Sequence, residues 1–199
     1  QVSALVARTL ASRGSSIVLA YSPTDCWNLA EKLAILLPAR ESDKLTLVKE
    51  FVKAEYGEDF ALYSFLGKGL AVHHAGISPE VRTLLEWLTE EGELAALVAT
   101  TTLAQGVNFP ISNVVLSTHF KAMRVGETFV KSKLRPDEFW NIAGRAGRLF
   151  QDTLGLVIFA SQQPDDASLE AYVNENVVEL ASALEQMIRD TVERGWDLD

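Results

Sequence analysis

The chain holds a single cysteine, Cys26, in 199 residues, which excludes an internal disulfide and any cysteine-rich zinc site. Early in an expected helix, that thiol reads as a small core residue in a reducing, cytoplasmic compartment. No apolar run approaches the roughly 20 residues that span a bilayer, so no membrane partner is expected. Cations are outnumbered 18 to 27, and the net charge of −9 argues against a uniformly basic nucleic-acid binder. No glycine-rich loop ends in Gly-Lys-Thr or Gly-Lys-Ser, so nothing here cradles the β- and γ-phosphates of a nucleotide unaided. Nor does a Gly-x-Gly-x-x-Gly turn follow the first expected strand, which weighs against a dinucleotide-binding domain. The first residue is Gln1, with no signal pattern after it, and the chain is expected to be a piece of a longer one.

What is present suits one globular domain: 48% hydrophobic and 23% charged residues, enough for a buried core. Short β-branched apolar runs alternate with longer helical patterns, which predicts a three-layer α/β/α fold around a mainly parallel sheet. The expected strands are 17–21, 70–74, 94–99, 113–117 and 156–160. After the first, Ser22-Pro23-Thr24-Asp25 starts a helix that buries Leu29, Leu33, Leu36 and Leu37 and stops at Pro38. Ser78-Pro79 opens another, with Val81, Leu84, Leu85 and Leu88 as its stripe. Pro136 to Ala143 forms a third. Residues 40–67 read as a charged helical insert in which Leu45, Val48, Phe51 and Val52 recur at helical spacing.

The expected organisation is a domain over residues 1–163 followed by an acidic helical extension over 164–199. The extension carries Leu169, Val173, Val177, Leu180, Leu184 and Ile188, and either packs on the domain or starts the next one. Beyond Gln163 stand ten acidic side chains against Arg189 and Arg194. Upstream lies a local basic group: Lys121, Arg124, Lys131, Lys133, Arg135, Arg145 and Arg148. A domain can hold nucleic acid along one strip while its far side is acidic.

Three stretches carry chemistry. In Gly144-Arg145-Ala146-Gly147-Arg148, two arginines three apart point the same way, and the glycines permit close backbone approach. Arginine's planar fork grips phosphate oxygens and keeps its charge at any physiological pH. Taken alone, the pair also fits a solvated helix end. In Ala99-Thr100-Thr101-Thr102-Leu103-Ala104-Gln105-Gly106-Val107-Asn108, hydroxyls follow a parallel strand directly, where ligands gather in such sheets. Threonine hydroxyls can hold phosphodiester oxygens without reading bases, or simply cap a short helix. His73 and His74, adjacent on a strand, point to opposite faces and cannot readily share a metal, so no metal site is expected. His74 is expected to hydrogen-bond at the strand end and shape the loop before Ser78.

In their order, these elements resemble the second, RecA-like motor domain of superfamily 2 DExD/H-box helicases. The nearest branch is that of the superkiller and exosome-associated RNA helicases and the archaeal repair helicases. The strand to Tyr21 with Ser22 is similar to motif IV, and AVHHAGISPEVRTLLEWL to motif IVa. LVATTTLAQGVNFP resembles motif V and FWNIAGRAGR motif VI, with Asp152 and Gly155 as the usual continuation. The likeness spans about residues 16–160.

The resemblance implies roles position by position. Arg145 and Arg148 correspond to γ-phosphate-sensing arginines that reach across a cleft to ATP. Gly106 and Asn108 match positions near the ATP ribose and phosphates, and Asn141 and Gly144 belong to the same nucleotide-facing motif. Asn141 stands where the family usually has a longer Gln, and Leu149-Phe150 where it often has Arg-Gly. Ser22, Thr100 and Thr102 match positions that touch the backbone of single-stranded RNA or DNA. No Asp-Glu-x-His/Asp box follows a strand here, so Mg and most ATP contacts fall to an N-terminal RecA-like domain of the same chain. The fragment alone is expected to have negligible ATPase activity. The alternative is a degenerate helicase-fold module that binds nucleic acid or protein without turnover.

Overall fold

The computed structural model describes residues 2–101, 111–125, 128–147, 155–160 and 166–174. At its centre five parallel strands lie in the order β2-β3-β1-β4-β7. They are β1 (Ser16–Ala20), β2 (Leu70–His73), β3 (Ala96–Thr100), β4 (Asn113–Leu116) and β7 (Leu156–Phe159). All five expected strands occur, within two residues of their expected ends. They were legible because a sheet covered on both faces needs unbroken apolar runs, and Val18, Leu19, Val98, Val114 and Val115 are fully buried.

Helices pack on this sheet. α1 (Val2–Leu10), which no sequence signal singled out, lies against α2 (Pro23–Leu36) and the β1 and β4 strands. α2 starts as expected, with Ser22 as N-cap accepting the Asp25 N–H at 3.2 Å and Pro23 in the first turn. It ends just before Pro38, which cannot continue a helix. Cys26 is fully buried on it, and burial, with Asp25 adding, pushes its thiol up to about 12, so it packs as a core residue.

The insert folds as α3 (Asp43–Tyr56), capped by Ser42, and α4 (Ala61–Leu66). Leu45, Val48 and Val52 are buried, and Phe51 is 41% exposed. Phe51 stands about 100° round the helix from its neighbour Val52, at the margin of the stripe that Leu45, Val48 and Val52 turn inward. α5 (Pro79–Glu90) has the expected Ser78 cap and buries Val81, Leu85 and Leu88, with Leu84 half-buried at the margin.

Two departures concern the second half. After β4 the chain makes an antiparallel hairpin, β5 (Phe120–Val125) with β6 (Thr128–Lys133), separate from the main sheet. It leads into α6 (Pro136–Ala143), with the bounds read from the sequence. In α7 (Asp166–Val173) the apolar Val173 is 72% exposed. The neighbouring Tyr172 is buried instead, stacked on Phe139 and Phe159 and donating its hydroxyl to the Leu134 carbonyl at 2.6 Å. Its ring offers more area to those aromatics than a valine could.

Candidate nucleotide and nucleic-acid edges

Those of the residues expected to carry function that the structure describes stand at two opposite edges of a sheet only four or five residues deep, roughly 15 Å. Strand register fixes this. Ala20 pairs with Thr100 at the carboxyl ends of β1 and β3, so Thr100 and the adjacent Ser22 share the carboxyl edge. Ile111, just before β4, forms a parallel bridge with Ala146, so Gly144 and Arg145 belong to the amino edge. Thr102, Gly106, Asn108 and Arg148, with Asp152, lie outside the described residues.

The amino edge is tight. α6 stops at Gly144, whose N–H donates to the Trp140 carbonyl at 2.8 Å. Gly147, at φ 97°, sits in the left-handed region that favours glycine, and its N–H donates to the Ile111 carbonyl at 2.7 Å. Gly155 passes so close that a side-chain carbon there would overlap the Ala146 carbonyl. Backbone contacts thus clamp the loop around Arg145, whose side chain is half-buried. Asn141 is exposed on α6, one turn before Arg145.

The carboxyl edge is open and basic. The Ser22 hydroxyl donates to Asp25 Oδ2 at 2.6 Å while capping α2, so its one proton is engaged. Thr100 is half-buried and Thr101 fully buried. At β2, His73 is fully buried and bonded to Glu86 Oε1 at 2.8 Å, and His74 accepts the Gly76 N–H at Nδ1 (3.0 Å), shaping the loop as expected. Burial holds both imidazoles below their ordinary range, outweighing the pull of Glu86 on His73.

Above this edge stands the hairpin that sequence reading missed. Its register puts Phe120, Ala122, Phe129, Lys131 and Lys133 on one face and Lys121, Met123, Val130 and Ser132 on the other. The first face looks back at β1, because the Lys131 ammonium lies 3.9 Å from the Phe120 ring and 5.9 Å from the Tyr21 ring. Phe129 is 72% exposed there. The second face rests on α6, where Lys121 pairs with Glu138. Glu138 also accepts the Arg135 N–H at 3.0 Å, completing the capping box of α6. Burial pulls the Glu138 carboxyl up, but Lys121 and the Arg135 N–H together outweigh it and hold it below the usual carboxylate range. One signal did mark the hairpin: Gly126-Glu127 between two runs of six, a glycine-first two-residue connection. The lysines scattered through both runs hid it.

Residues 29–150 match the family model of the helicase conserved C-terminal domain. The chain is 40% identical over 106 residues to the Hachiman protein HamB of Bacillus cereus, covering 53% of this chain and 9% of that protein. To the antiviral helicase SKI2 of Saccharomyces cerevisiae it is 41% identical over 95 residues, covering 48% of this chain and 7% of SKI2. A longer match, 29% identical over 192 residues, runs to the ATP-dependent DNA helicase Hel308 of Methanocella arvoryzae and covers 92% of this chain and 26% of that protein. The matched stretches thus span about a quarter or less of these relatives.

Proposed function

The chain belongs to the helicase conserved C-terminal domain family, in the superfamily 2 branch of the superkiller and Hel308 helicases, and from that premise we propose that it is the second motor domain of an ATP-driven translocase on single-stranded RNA or DNA. The observation that carries this reading is the division of labour between the two edges. The amino edge has an arginine on a backbone-clamped glycine loop, suited to a small fixed anion. The carboxyl edge has hydroxyls, lysines and the exposed Phe129 ring, suited to a polymer gripped irrespective of sequence.

In this reading Arg145 and Arg148 meet the γ-phosphate of ATP held mainly by a first motor domain, with Gly106, Asn108, Asn141 and Gly144 beside it. The crowding at Gly147 and Gly155 supports the fit, since it leaves the backbone no freedom to withdraw the arginine. ATP, with Mg on the first domain, supplies the phosphoryl transfer that closes and reopens the cleft; the arginines neutralise charge that develops on the leaving group. Thr100, Thr102 and the hairpin face hold the strand, and Ser22 positions α2 beside it. Residues 1–163 form the motor domain and 164–199 its extension, of which Tyr172 already packs on the core. Without the first domain no turnover is expected.

The test is ATP turnover by the full-length protein with and without single-stranded RNA or DNA, comparing wild type with Arg148→Ala. Stimulated hydrolysis that falls at least about tenfold in the variant is expected, since such an arginine is worth more than that in other motors. Turnover indifferent to Arg148, or absent with both nucleic acids, would instead indicate a binding module without a working motor.

A further inference from the structure

A cleft of about 430 Å³ opens at the carboxyl edge between β1 and β4. The chain leaves these neighbouring strands in opposite directions, β1 towards β2 and β4 towards β7. Crevices at such reversals are where parallel α/β sheets take ligands. α2 lines it with Asp25, Asn28 and Lys32, the hairpin with Lys131, and α1 with Val2 and Ser3, while Thr118 lies beyond the end of β4.

The charges in this cleft do not balance. Elsewhere Lys44, Lys53 and Lys121 are each paired with a carboxylate, and Lys68 holds the Ala34 carbonyl. Lys32 and Lys131 line the cleft, one from α2 and one from the hairpin, with no carboxylate partner among the described residues. Lys131 is held at the mouth by the Phe120 and Tyr21 rings, which position its ammonium without neutralising it. Among the described residues that line the cleft, the one carboxylate against these two cations is Asp25, which already accepts the Ser22 hydroxyl proton. With that proton engaged, Ser22 has none left to offer a phosphate oxygen, and the task passes to the lysines.

We propose that this cleft is a phosphate subsite in which Lys32, from α2, and Lys131, from the hairpin, grip phosphodiester groups of the bound single strand. The proposal rests on the nucleic-acid reading above and adds a contact made by α2, outside the stretches that resemble helicase motifs. Two ammonium groups recognise charge alone, so the subsite takes RNA and DNA alike.

The experiment measures binding of short labelled oligo-uridylate and oligo-thymidylate to the full-length protein, without nucleotide, across roughly 50–200 mM salt. Lys32→Ala and Lys131→Ala are each expected to weaken both oligomers about fivefold and to flatten the log–log salt slope by about 0.7, the double variant by about 1.4. Lys53→Ala, which removes the same charge from the distant insert, leaves the slope unchanged. Lys32 is exposed on a helix surface, so its variant folds and carries the test even where Lys131→Ala loosens the hairpin. Unchanged slopes in both cleft variants overturn the subsite, as does an equal change in Lys53→Ala, which marks diffuse attraction. Loss on one oligomer alone points to sugar or base contacts and overturns it too. A wild-type protein that binds neither oligomer sinks the nucleic-acid reading itself, whereas wild-type binding untouched by the variants removes only this cleft.

Discussion

The amino and carboxyl edges of one small sheet are built on different principles. At the amino edge backbone touches backbone: Gly147 bonds to Ile111, and Gly155 lies against Ala146 with no room for a methyl group. At the carboxyl edge the backbone withdraws and long side chains reach into an open cleft. A rigid loop can present an arginine to one anion of fixed shape. Lysines and rings on a hairpin can follow a chain whose bases change at every step. The difference teaches that motif order along the sequence does not say which edge a motif occupies; strand direction does.

The sharpest way to break this comparison is Arg145→Ala in the full-length protein. Nucleic-acid-stimulated turnover is expected to fall at least about tenfold, with strand affinity in the absence of nucleotide unchanged. A variant that lost both together would show that the edges are not separate sites. Next in size is Glu138→Gln, which leaves the largely buried Lys121 ammonium without its carboxylate at the joint between hairpin and α6. A loss of about 1–3 kcal/mol in chemical denaturation is expected. Because the Glu138 carboxyl sits below its ordinary range when folded, its stabilisation is present above the usual carboxylate value and lost as pH falls through the folded one. Acid melting of Glu138→Gln should accordingly be less steep than that of wild type.

The smallest effect separates the edges by pH. His73 and His74 are held neutral by burial at the carboxyl edge, with pKa values below the ordinary 6.5. The unfolded chain therefore takes up protons before the folded one, and stability, full above about 6.5, is lost as pH falls below it until the folded values are reached. Tm is expected to drop between pH 7 and 5, less so in His74→Gln. Arginine does not titrate in that range, so a drop equal in wild type and His74→Gln would remove His74 from the account.

Much of the fold was legible because the physics behind it is local. Strands buried on both faces read as apolar runs, and Ser22, Ser42 and Ser78 announced or allowed helix starts through their hydroxyls. Phe51 and Val173 share the helical spacing of buried neighbours yet stand exposed, because at the margin of a stripe the packing partner decides which side is in. The hairpin was missed because its lysines are there for the face it shows to β1, a tertiary reason absent from the run itself. At the site the residue types were readable, whereas the placement of Thr100 and Arg145 at opposite edges needs the strand directions as well. It follows from one rule: a segment after a parallel strand emerges at the carboxyl edge, and one after the returning helix emerges at the amino edge.

Helix α6 runs between those edges. Its first turn is tied to the hairpin through Glu138 and Lys121, and its last residue hands directly to Gly144 and Arg145. Eight residues make a rod of about 12 Å, too short to bend appreciably. If strand and ATP bind at its two ends as proposed, the rod makes them thermodynamic partners. Whatever factor by which the strand tightens ATP, ATP must tighten the strand by the same factor, since both orders of binding end in one doubly bound state. Cutting the Lys121–Glu138 tie should shrink both factors together and equally.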